Sequence, residues 1–381
     1  MPKQAIVNIQ EDVQSVDIID TPIPTPKDKE IVIRVVVAGS NPKDWKMPLW
    51  HNFPHNSGDD MAGVVYSVGK DVYEFKPGDR VAAFHEVSLQ GGFTENGAFA
   101  EYAVAPDWTT FHVPHNISFE EAATMPVAAL TAAIALFCDM KLPAPHAMPA
   151  QAERKTPLLI YGVSSAVGAF AAKLARLSGI GPIIGVAGRA GDFARTLVDH
   201  VVDYRQGEDA VVAAVEAILE KEGLGSKVPY VLDAISEHGS LETTLRFIDP
   251  NGGTVSTVLP PNLFAKDKEN FAYPAGVTAI NSAVPLVHAT HKDFGYIWSR
   301  YLGRLLEDGR LKPHPYEVIP GGLNGVLTGL KKLKNGEASA VKYVFRIEET
   351  DDGYVSQNSG KPVPAAAHEN THPLRNFPFP A

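Results

Sequence analysis

The chain has 381 residues, of which 45% are hydrophobic and 20% charged, which is typical of a globular protein with room for two domains that have separate cores. The formal charge of −10 argues against a nucleic-acid partner, because phosphate binding needs clustered Lys and Arg, and the longest basic cluster, at 331–334, is typical of a solvated helix face. A single cysteine, Cys138, excludes an intramolecular disulfide framework and a Cys-rich zinc module, and favours a reducing compartment.

The sequence predicts neither a targeting segment nor a membrane span. Its first residues, MPKQAIVNIQED, lack the apolar core of a secretion signal, and we find no run of about 18 apolar residues. We therefore expect a soluble, cytoplasmic protein without a membrane partner.

The first 125 residues have the pattern of a compact, mostly β domain. Short β-rich runs alternate with Pro and Gly, and they predict strands at 30–37, 62–68 and 79–84. An Ala-rich helical stretch at 120–137 and a Pro-rich linker at 142–157 follow.

Beyond the linker, strands and helices alternate, which calls for a doubly wound parallel sheet. Strands are predicted at 156–161, 182–187, 201–204, 230–233 and 253–258, and helices at 164–177, 191–197, 209–222 and 241–247. A strand at 316–319, a helix at 323–334 and a strand at 341–347 indicate a return to the first domain. The predicted domains are thus 1–125 with 310–350, then 126–309, and finally a Pro-rich, extended tail at 351–381.

The stretch YGVSSAVG, at 161–168, is the candidate phosphate-binding turn. A G-x-G-x-x-G pattern would place its glycines on Val163, Ser165 and Gly168, and only the third is glycine. Gly168 serves close packing of helix on strand, while the small residues leave room for phosphate oxygens; the predicted contacts are Ser164, Ser165, Ala166 and Val167. Taken alone, the motif fits a strand–helix junction without a ligand equally well.

The end of the second strand of this domain favours NADPH over NADH. No Asp or Glu stands at 185–189, where a carboxylate would bind the adenosine ribose of NAD. Gly188 and Arg189 can instead receive a 2′-phosphate, and Tyr204 and Arg205 can add a hydroxyl group and a second charge. The alternative is that both arginines are ordinary exposed surface charges.

Seven stretches in order resemble one family. They are GSNPKDWK (39–46), GDDMAGVV (58–65), FKPGDRVAAF (75–84), GAFAEYAV (97–104), ATMPVAALTAAIAL (123–136), YGVSSAVG (161–168) and VVDYR (201–205). Together they resemble the medium-chain dehydrogenase/reductase superfamily, in particular its zinc-free quinone oxidoreductase branch and the fungal trans-acting enoyl reductases that serve polyketide synthases. The resemblance implies an α/β fold with a GroES-like, mostly β catalytic domain, built from both chain ends, and a Rossmann domain with a doubly wound parallel sheet.

The chain departs from this family's zinc-dependent members. The positions that match their catalytic ligands hold Asn41, the pair Asp59 and Asp60, and approximately Val127, which offer neither a thiolate nor an imidazole. His55 with the two aspartates is an alternative ligand set, although carboxylates near a Gly turn more often close loops by hydrogen bonds. We therefore predict no metal site.

A reductase without a metal can still reduce an electron-poor double bond, because charge from the incoming hydride spreads onto a conjugated oxygen. The implied substrate is a small molecule with a conjugated carbonyl: an enone, an enoyl thioester or a quinone. By resemblance, Asn41, Asp44 and Lys46 lie in a loop that faces the nicotinamide, where Asn41 can donate to the substrate and Lys46 can bind its oxygen or a carrier phosphate. Plain loop architecture is the alternative.

Further candidates surround the nicotinamide by resemblance or by position. His51 or His55 can deliver a proton, although both suit an exposed loop as well. Thr131 matches a threonine that lies against the nicotinamide in relatives, yet it can equally bond its own helix backbone. Predicted cofactor contacts at strand ends are Leu259 and Asn281, and Lys342 on the last strand either approaches the cofactor or pairs on the surface.

Three functions remain open at this point: an NADPH-dependent reductase of free substrates, a trans-acting enoyl reductase that needs an acyl carrier or synthase partner, and a non-catalytic NADPH-binding sensor or scaffold. The sequence leaves the choice between monomer and homodimer open as well.

Overall fold

The computed structural model describes residues 1–9, 13–51, 53–87, 96–147 and 154–351, with the backbone alone for residues 9, 13, 14, 50, 51, 154 and 155. Apart from Asp351, the predicted tail lies outside the described residues, as does part of the predicted linker at 142–157.

The chain forms two compact units. Unit 1 consists of Met1–Val127 and the chain from Pro285 onward, and unit 2 consists of Ala128–Val284. Unit 1 therefore draws on both ends of the chain, and its second segment begins at Pro285, whereas the sequence predicts this return near residue 310.

The N-terminal segment of unit 1 is mostly β. It ends in a short helix and the first two residues of a second helix, whose remainder belongs to unit 2. Its elements are β1 (Lys3–Ile9), β2 (Val13–Asp20), β3 (Glu30–Gly39), α1 (Lys43–His51), β4 (Asp60–Val68), β5 (Arg80–Phe84), β6 (Tyr102–Pro106), β7 (Thr110–His112), α2 (Phe119–Ala122) and α3 (Pro126–Ala133). The strands predicted at 30–37, 62–68 and 79–84 are confirmed as β3, β4 and β5. The loop predicted around Lys46 is wrong in its second half, because Lys46 lies in α1, which continues past Pro48.

The Ala-rich stretch is helical from Phe119 to Asp139, in three pieces. α2 begins with a capping box between Ser118 and Glu121, and α3 runs into a π-helical turn at Ile134–Asp139. Contrary to the expectation from the sequence, this stretch is long and apolar enough to span a membrane. It is a core helix, since 83% of its most apolar window is buried.

Unit 2 alternates strands with helices. Its elements after α3 are β8 (Arg154–Tyr161), α4 (Ala166–Leu177), β9 (Ile180–Ala187), α5 (Gly191–Arg195), β10 (His200–Asp203), α6 (Glu208–Lys221), β11 (Tyr230–Asp233), α7 (Ser240–Phe247), β12 (Thr254–Thr257), α8 (Pro261–Phe264) and β13 (Thr278–Asn281). The six strands pair in parallel in the order β10-β9-β8-β11-β12-β13. This order confirms the predicted Rossmann sheet, and its direction reverses between β8 and β11, where such sheets bind ligands.

The chain then completes unit 1 with α9 (Lys292–Glu307), β14 (Tyr316–Val318), α10 (Val326–Lys334) and β15 (Lys342–Arg346). The main sheet of this unit runs β14-β15-β3-β4-β5-β7, and β6 pairs with β3. Gly39 at the end of β3 has Asp60 of β4 as its partner on one side and Val344 of β15 on the other. One end of this sheet therefore collects residues from both segments of unit 1.

Candidate functional site

The turn after β8 is built around a glycine that the predicted motif leaves out. Gly162 has φ +77°, and its N–H and that of Val163 both donate to the carbonyl of Val186 on β9, at 2.9 and 3.1 Å. The N–H of Ser165 donates back to the Gly162 carbonyl at 2.9 Å. Gly162 thus makes the tight turn that the first glycine of G-x-G-x-x-G makes, and the Tyr-Gly-Val-Ser sequence signals it.

α4 begins at this turn with Ser165 as its N-cap, whose Oγ accepts from the Gly168 N–H at 3.1 Å. Within the described chain, the N–H groups of Ser164, Ala166 and Val167 have no acceptor. A Cβ on Gly168 would lie 2.3 Å from the Gly162 carbonyl oxygen, which confirms the close packing predicted for this glycine. Unpaired N–H groups at the positive end of a helix suit an anionic oxygen.

Gly188 and Tyr204 lie against each other beyond the end of β9. A Cβ on Gly188 would approach the Tyr204 ring to 2.6 Å, and Tyr204 is 48% exposed. Arg189 is exposed beside them. Arg205 is held by Asp203 through hydrogen bonds of 2.9 Å (Nε to Oδ1) and 2.6 Å (Nη2 to Oδ2), which lower the pKa of the Asp203 carboxyl to about 2. Arg189 stays the predicted cation for a further phosphate, because it follows the end of β9 directly after Gly188.

The carboxyl ends of β12 and β13 carry the other two predicted cofactor residues. Leu259 is the second residue after β12, Asn281 ends β13, and both are half-buried. Below them Ser256 and Ser282 share a hydrogen bond of 2.6 Å, and Ser282 also donates to Asp139 at the end of the π-helical turn. These hydrogen bonds connect the ends of both strands to the helical stretch that carries Thr131.

Asp233 at the end of β11 is a site residue that sequence reasoning missed. Its carboxylate accepts from the N–H groups of Ile235 and Ser236 and from Ser240 Oγ at 2.6 Å, and burial raises its pKa to about 6. The turn it holds places the Ile235 side chain against Gly162. An Asp at a strand end, followed by a small residue and a Ser two residues later, is a signal for such a turn.

In unit 1, Asn41, Asp60 and Lys342 form a buried polar array, and their residues are 7%, 0% and 4% exposed. The Asn41 amide donates to Asp60 Oδ2 at 2.9 Å, and the Lys342 ammonium donates to the same oxygen and, at 3.1 Å, to Asn41 Oδ1. Asp60 Oδ1 accepts from the Val127 N–H in the first turn of α3 at 2.7 Å. The surface pairing considered for Lys342 is wrong, because its partners are buried.

A second group of charges surrounds the start of α1. The Lys43 ammonium lies 2.7 Å from Asp59 and 3.3 Å from Asp44, and it donates to the Ser57 carbonyl at 2.6 Å. Burial raises the pKa of the Asp44 carboxyl to about 7 and that of the Asp59 carboxyl to about 6, against the opposing effect of Lys43. Asp44 also accepts from the Asn41 N–H at 2.7 Å, so it closes the turn before the helix.

The remaining predicted catalytic residues lie on helices. Lys46 is 4% exposed, with its ammonium 5.4 Å from the centre of the Trp45 ring. Thr131 is 6% exposed in α3, one turn after Val127. His51 ends α1, and its side chain lies outside the described atoms.

The alternative metal ligands do not converge. Asp59 pairs with Lys43 and Asp60 with Lys342, while His55 Nδ1 lies 3.0 Å from the Phe53 carbonyl oxygen. Among the residues that the structure describes, no three His, Cys, Asp or Glu side chains form a group that could hold a metal ion.

Comparison with known proteins gives consistent results. The alcohol dehydrogenase GroES-like domain family matches residues 27–115. Trans-enoyl reductase fsr4 of Gibberella fujikuroi is 41% identical over 317 residues, which is 81% of this chain and 89% of that protein. Trans-enoyl reductase ACTTS2 of Alternaria alternata is 33% identical over 354 residues, 90% of this chain and 98% of the relative.

Solved structures share the fold at lower identity. The crystal structure of CurK enoyl reductase has a TM-score of 0.71 and 19% identity, covering 90% of this chain and 98% of that chain. The quinone oxidoreductase from Coxiella burnetii has a TM-score of 0.66 and 21% identity, covering 91% and 99%.

Proposed function

Because this chain belongs to the trans-enoyl reductases of the medium-chain dehydrogenase/reductase superfamily, and is an oxidoreductase of that type, we propose that it reduces a conjugated C=C bond with NADPH and without a metal. The single observation that carries this proposal is the buried ammonium of Lys342, which is bound by Asn41 and Asp60. These two residues stand at positions that match metal ligands in zinc-dependent members.

A nicotinamide dinucleotide fits the residues present in unit 2. The unpaired N–H groups at the start of α4 suit its diphosphate, and the absence of a Cβ on Gly168 allows helix and turn to close on each other. The predicted contacts Gly188, Arg189 and Tyr204 supply a cation and a hydroxyl group for the 2′-phosphate of NADPH. Leu259 and Asn281 are proposed to line the nicotinamide end from the strand ends.

When bound, NADPH supplies a hydride, and the saturated product needs this hydride at the β-carbon and a proton at the α-carbon. In this proposal, the second N–H of Asn41 donates to the carbonyl oxygen of the substrate, where negative charge develops. Lys46 binds the same oxygen or the phosphate of a carrier arm, and Thr131 orients the nicotinamide. Asp60 and Lys342 keep their hydrogen bonds to the Asn41 side chain.

The dehydrogenation of a simple alcohol suits this site less well. A metal promotes that reaction by polarising the carbonyl or alkoxide oxygen. Here the Asp60 carboxylate already has the Lys342 ammonium as its counter-ion. A metal ion bound beside Asp60 would be repelled by this buried ammonium.

The proposed function includes a protein partner that presents the substrate. The relatives are named trans-enoyl reductases, which supports action in trans. We propose that the acyl chain is carried by a polyketide synthase, as the resemblance implies, and that the reaction takes place in the cytoplasm. A substrate delivered on a carrier would show faster turnover than the same acyl group as a free thioester.

Turnover with NADPH and NADH, on free and carrier-bound enoyl thioesters, tests the proposal. We expect oxidation of NADPH in preference to NADH, and we expect Arg189→Glu to weaken NADPH binding about 10- to 100-fold, because a charge-assisted contact to the 2′-phosphate is lost. Binding of NADH should change little.

Arg195→Glu is the matched control, since it makes the same charge change at an exposed residue of the neighbouring helix α5. Its effect on NADPH affinity should be small. Absence of coenzyme oxidation with every enone, quinone and enoyl thioester would refute the proposed function. Equal affinity for both coenzymes would refute the choice of NADPH alone.

A further inference from the structure

Lys342 connects three strand ends in unit 1. It begins β15, and Val344, two residues later, has Gly39 of β3 as its backbone partner, while Gly39 also pairs with Asp60 of β4. Lys342 and Asp60 are 282 positions apart in the chain, and the register of these strands brings them together. Register of this kind tolerates no slip, because a shift by one residue would turn Lys342 to the other face of the sheet.

The ammonium fixes the orientation of the Asn41 amide. Asn41 Oδ1 faces the Lys342 ammonium and Nδ2 faces the Asp60 carboxylate. A flipped amide would set NH₂ against an ammonium and an oxygen against a carboxylate, and both contacts would be repulsive. Within the described chain, the second N–H of Asn41 has no acceptor, so one amide donor of fixed direction is left over.

The same pair anchors α3. Asp60 Oδ1 accepts from the N–H of Val127 in the first helical turn, where a carboxylate is favoured by the helix dipole. Thr131 follows one turn later on the same face of the helix. The Lys342–Asp60 pair therefore holds both Asn41 and the start of the helix that carries Thr131.

We propose that Lys342 is a positioning residue of the reductase, and that it acts through Asp60 and Asn41 rather than by touching the coenzyme. The proposal rests on the proposed function, in which Asn41 donates to the substrate oxygen. A donor that is already oriented needs no reorganisation as charge develops on that oxygen, whereas an amide free to rotate does. The expected result of losing the ammonium is thus a lower kcat, with the affinity for NADPH unchanged.

The double variant Lys342→Met with Asp60→Asn tests this, because it removes both charges together and leaves no unpaired buried carboxylate. We expect kcat to fall about 10- to 100-fold, as for other small losses of alignment in active sites. When Asn41→Ala is already present, the same double change should lower kcat by less than about 2-fold, since the group it orients is gone and the amide oxygen then at position 60 can still accept from the Val127 N–H.

Lys76→Met is the control, because Lys76 forms an exposed ion pair with Asp79 in the turn before β5. It should leave kcat unchanged. Where the double variant fails to fold, Lys342→Arg keeps the charge but moves it, and it replaces the double variant in the same comparison.

Two kinetic outcomes would overturn the proposal. If the double variant lowered kcat by the same factor with and without Asn41→Ala, Lys342 would act independently of Asn41. A rise in the Kd for NADPH with kcat unchanged would mean that Lys342 serves the coenzyme.

A measurement without turnover separates this proposal from the proposed function. The side-chain amide signals of Asn41 in an NMR spectrum, assigned by their loss in Asn41→Ala, should move strongly in the double variant. Unchanged signals would show that the ammonium does not hold the amide, whereas a wild-type protein that reduces no substrate would refute only the proposed function.

Discussion

Gly168 shows, at the scale of one residue, how a missing methyl group shapes the candidate phosphate turn. A Cβ at this position would lie 2.3 Å from the carbonyl oxygen of Gly162 and 2.8 Å from the Cα of Val163, both of them backbone atoms. Backbone cannot yield as a flexible side chain can, so helix and turn would have to separate. The N–H groups at the start of α4 would move with the helix.

We therefore expect Gly168→Ala to destabilise unit 2 by about 1 to 3 kcal/mol, the usual cost of overpacking, and to weaken NADPH binding. Gly191→Ala is the control, because a Cβ there meets nothing closer than 3.7 Å, at the start of helix α5. Thermal unfolding and coenzyme titration measure both effects. A Gly168→Ala protein as stable and as tightly binding as Gly191→Ala would contradict the close-packing argument.

The site residues divide into those that local sequence reveals and those that only the fold brings together. Gly168, Ser165 and Arg189 stand at fixed offsets from a strand, so that the motif predicts them. The partnership of Lys342 with Asp60 depends on the register of β15, β3 and β4, which no local pattern contains. The sequence therefore predicted a role for Lys342 without predicting its partners.

At the scale of elements, α1 and α9 show why some helices went unpredicted. α1 contains Pro48, which lowers helix propensity, and α9 contains Gly295 and Gly303. Gly303 packs close to β7, where a Cβ would lie 3.4 Å from the His112 carbonyl oxygen. A signal was present in α9 even so, since its buried residues Trp298, Leu302, Leu305 and Leu306 recur at helical spacing.

The alternating strands and helices of unit 2 were predicted far better than α1 and α9. Their strands are short apolar runs, as expected for parallel strands covered on both faces, and glycine or proline marks many of their ends. β11, for example, runs from Tyr230 to Asp233 as the sequence predicts. The turn that follows was not predicted, although Asp233 and Ser236 are a local signal for it. What the local pattern could not give is the burial of the Asp233 carboxyl.

That turn gives a pH-dependent prediction. Burial raises the pKa of the folded Asp233 carboxyl to about 6, above the ordinary value of 3.8, so its charged form is the less favourable one in the fold. Its contribution to stability is thus present in full below about pH 4 and is lost as the pH rises through about 6, by roughly 3 kcal/mol in total. Asp233→Asn keeps one acceptor oxygen for the backbone N–H groups of the turn and does not titrate.

We expect the free energy of opening of β11 and β12, measured by amide hydrogen exchange, to fall between about pH 4 and pH 6 in the wild type relative to Asp233→Asn, and to stay level above about pH 7. Taking the difference between the two proteins removes the contributions of Asp44 and Asp59, which titrate in both. Parallel pH profiles would show that the carboxyl is not the group responsible.

At the scale of the whole molecule, the seven motifs taken together in chain order predicted more than any single motif. The phosphate turn alone fits a junction without a ligand, but in order with six other stretches it indicates one family, and relatives at 41% and 33% identity confirm it. Composition predicted two domains, and the structure has two units, one of them built from both chain ends. The sequence did not predict which residues from the two ends of the chain meet inside unit 1, and only the fold reveals them.

The buried charges of unit 1 lead to a prediction for the purified protein. Asp60 has an internal cation in Lys342, and Asp59 has one in Lys43, so the carboxylates at the positions that match metal ligands are already neutralised. Dialysis against a strong chelator should therefore leave both NADPH-dependent turnover and thermal stability unchanged, and added Zn²⁺ should bring no gain. A zinc-dependent alcohol dehydrogenase, treated in parallel, should lose its activity. If chelation abolished turnover here and Zn²⁺ restored it, the internal ammonium would not be standing in for a metal, and the metal-free chemistry would have to be abandoned.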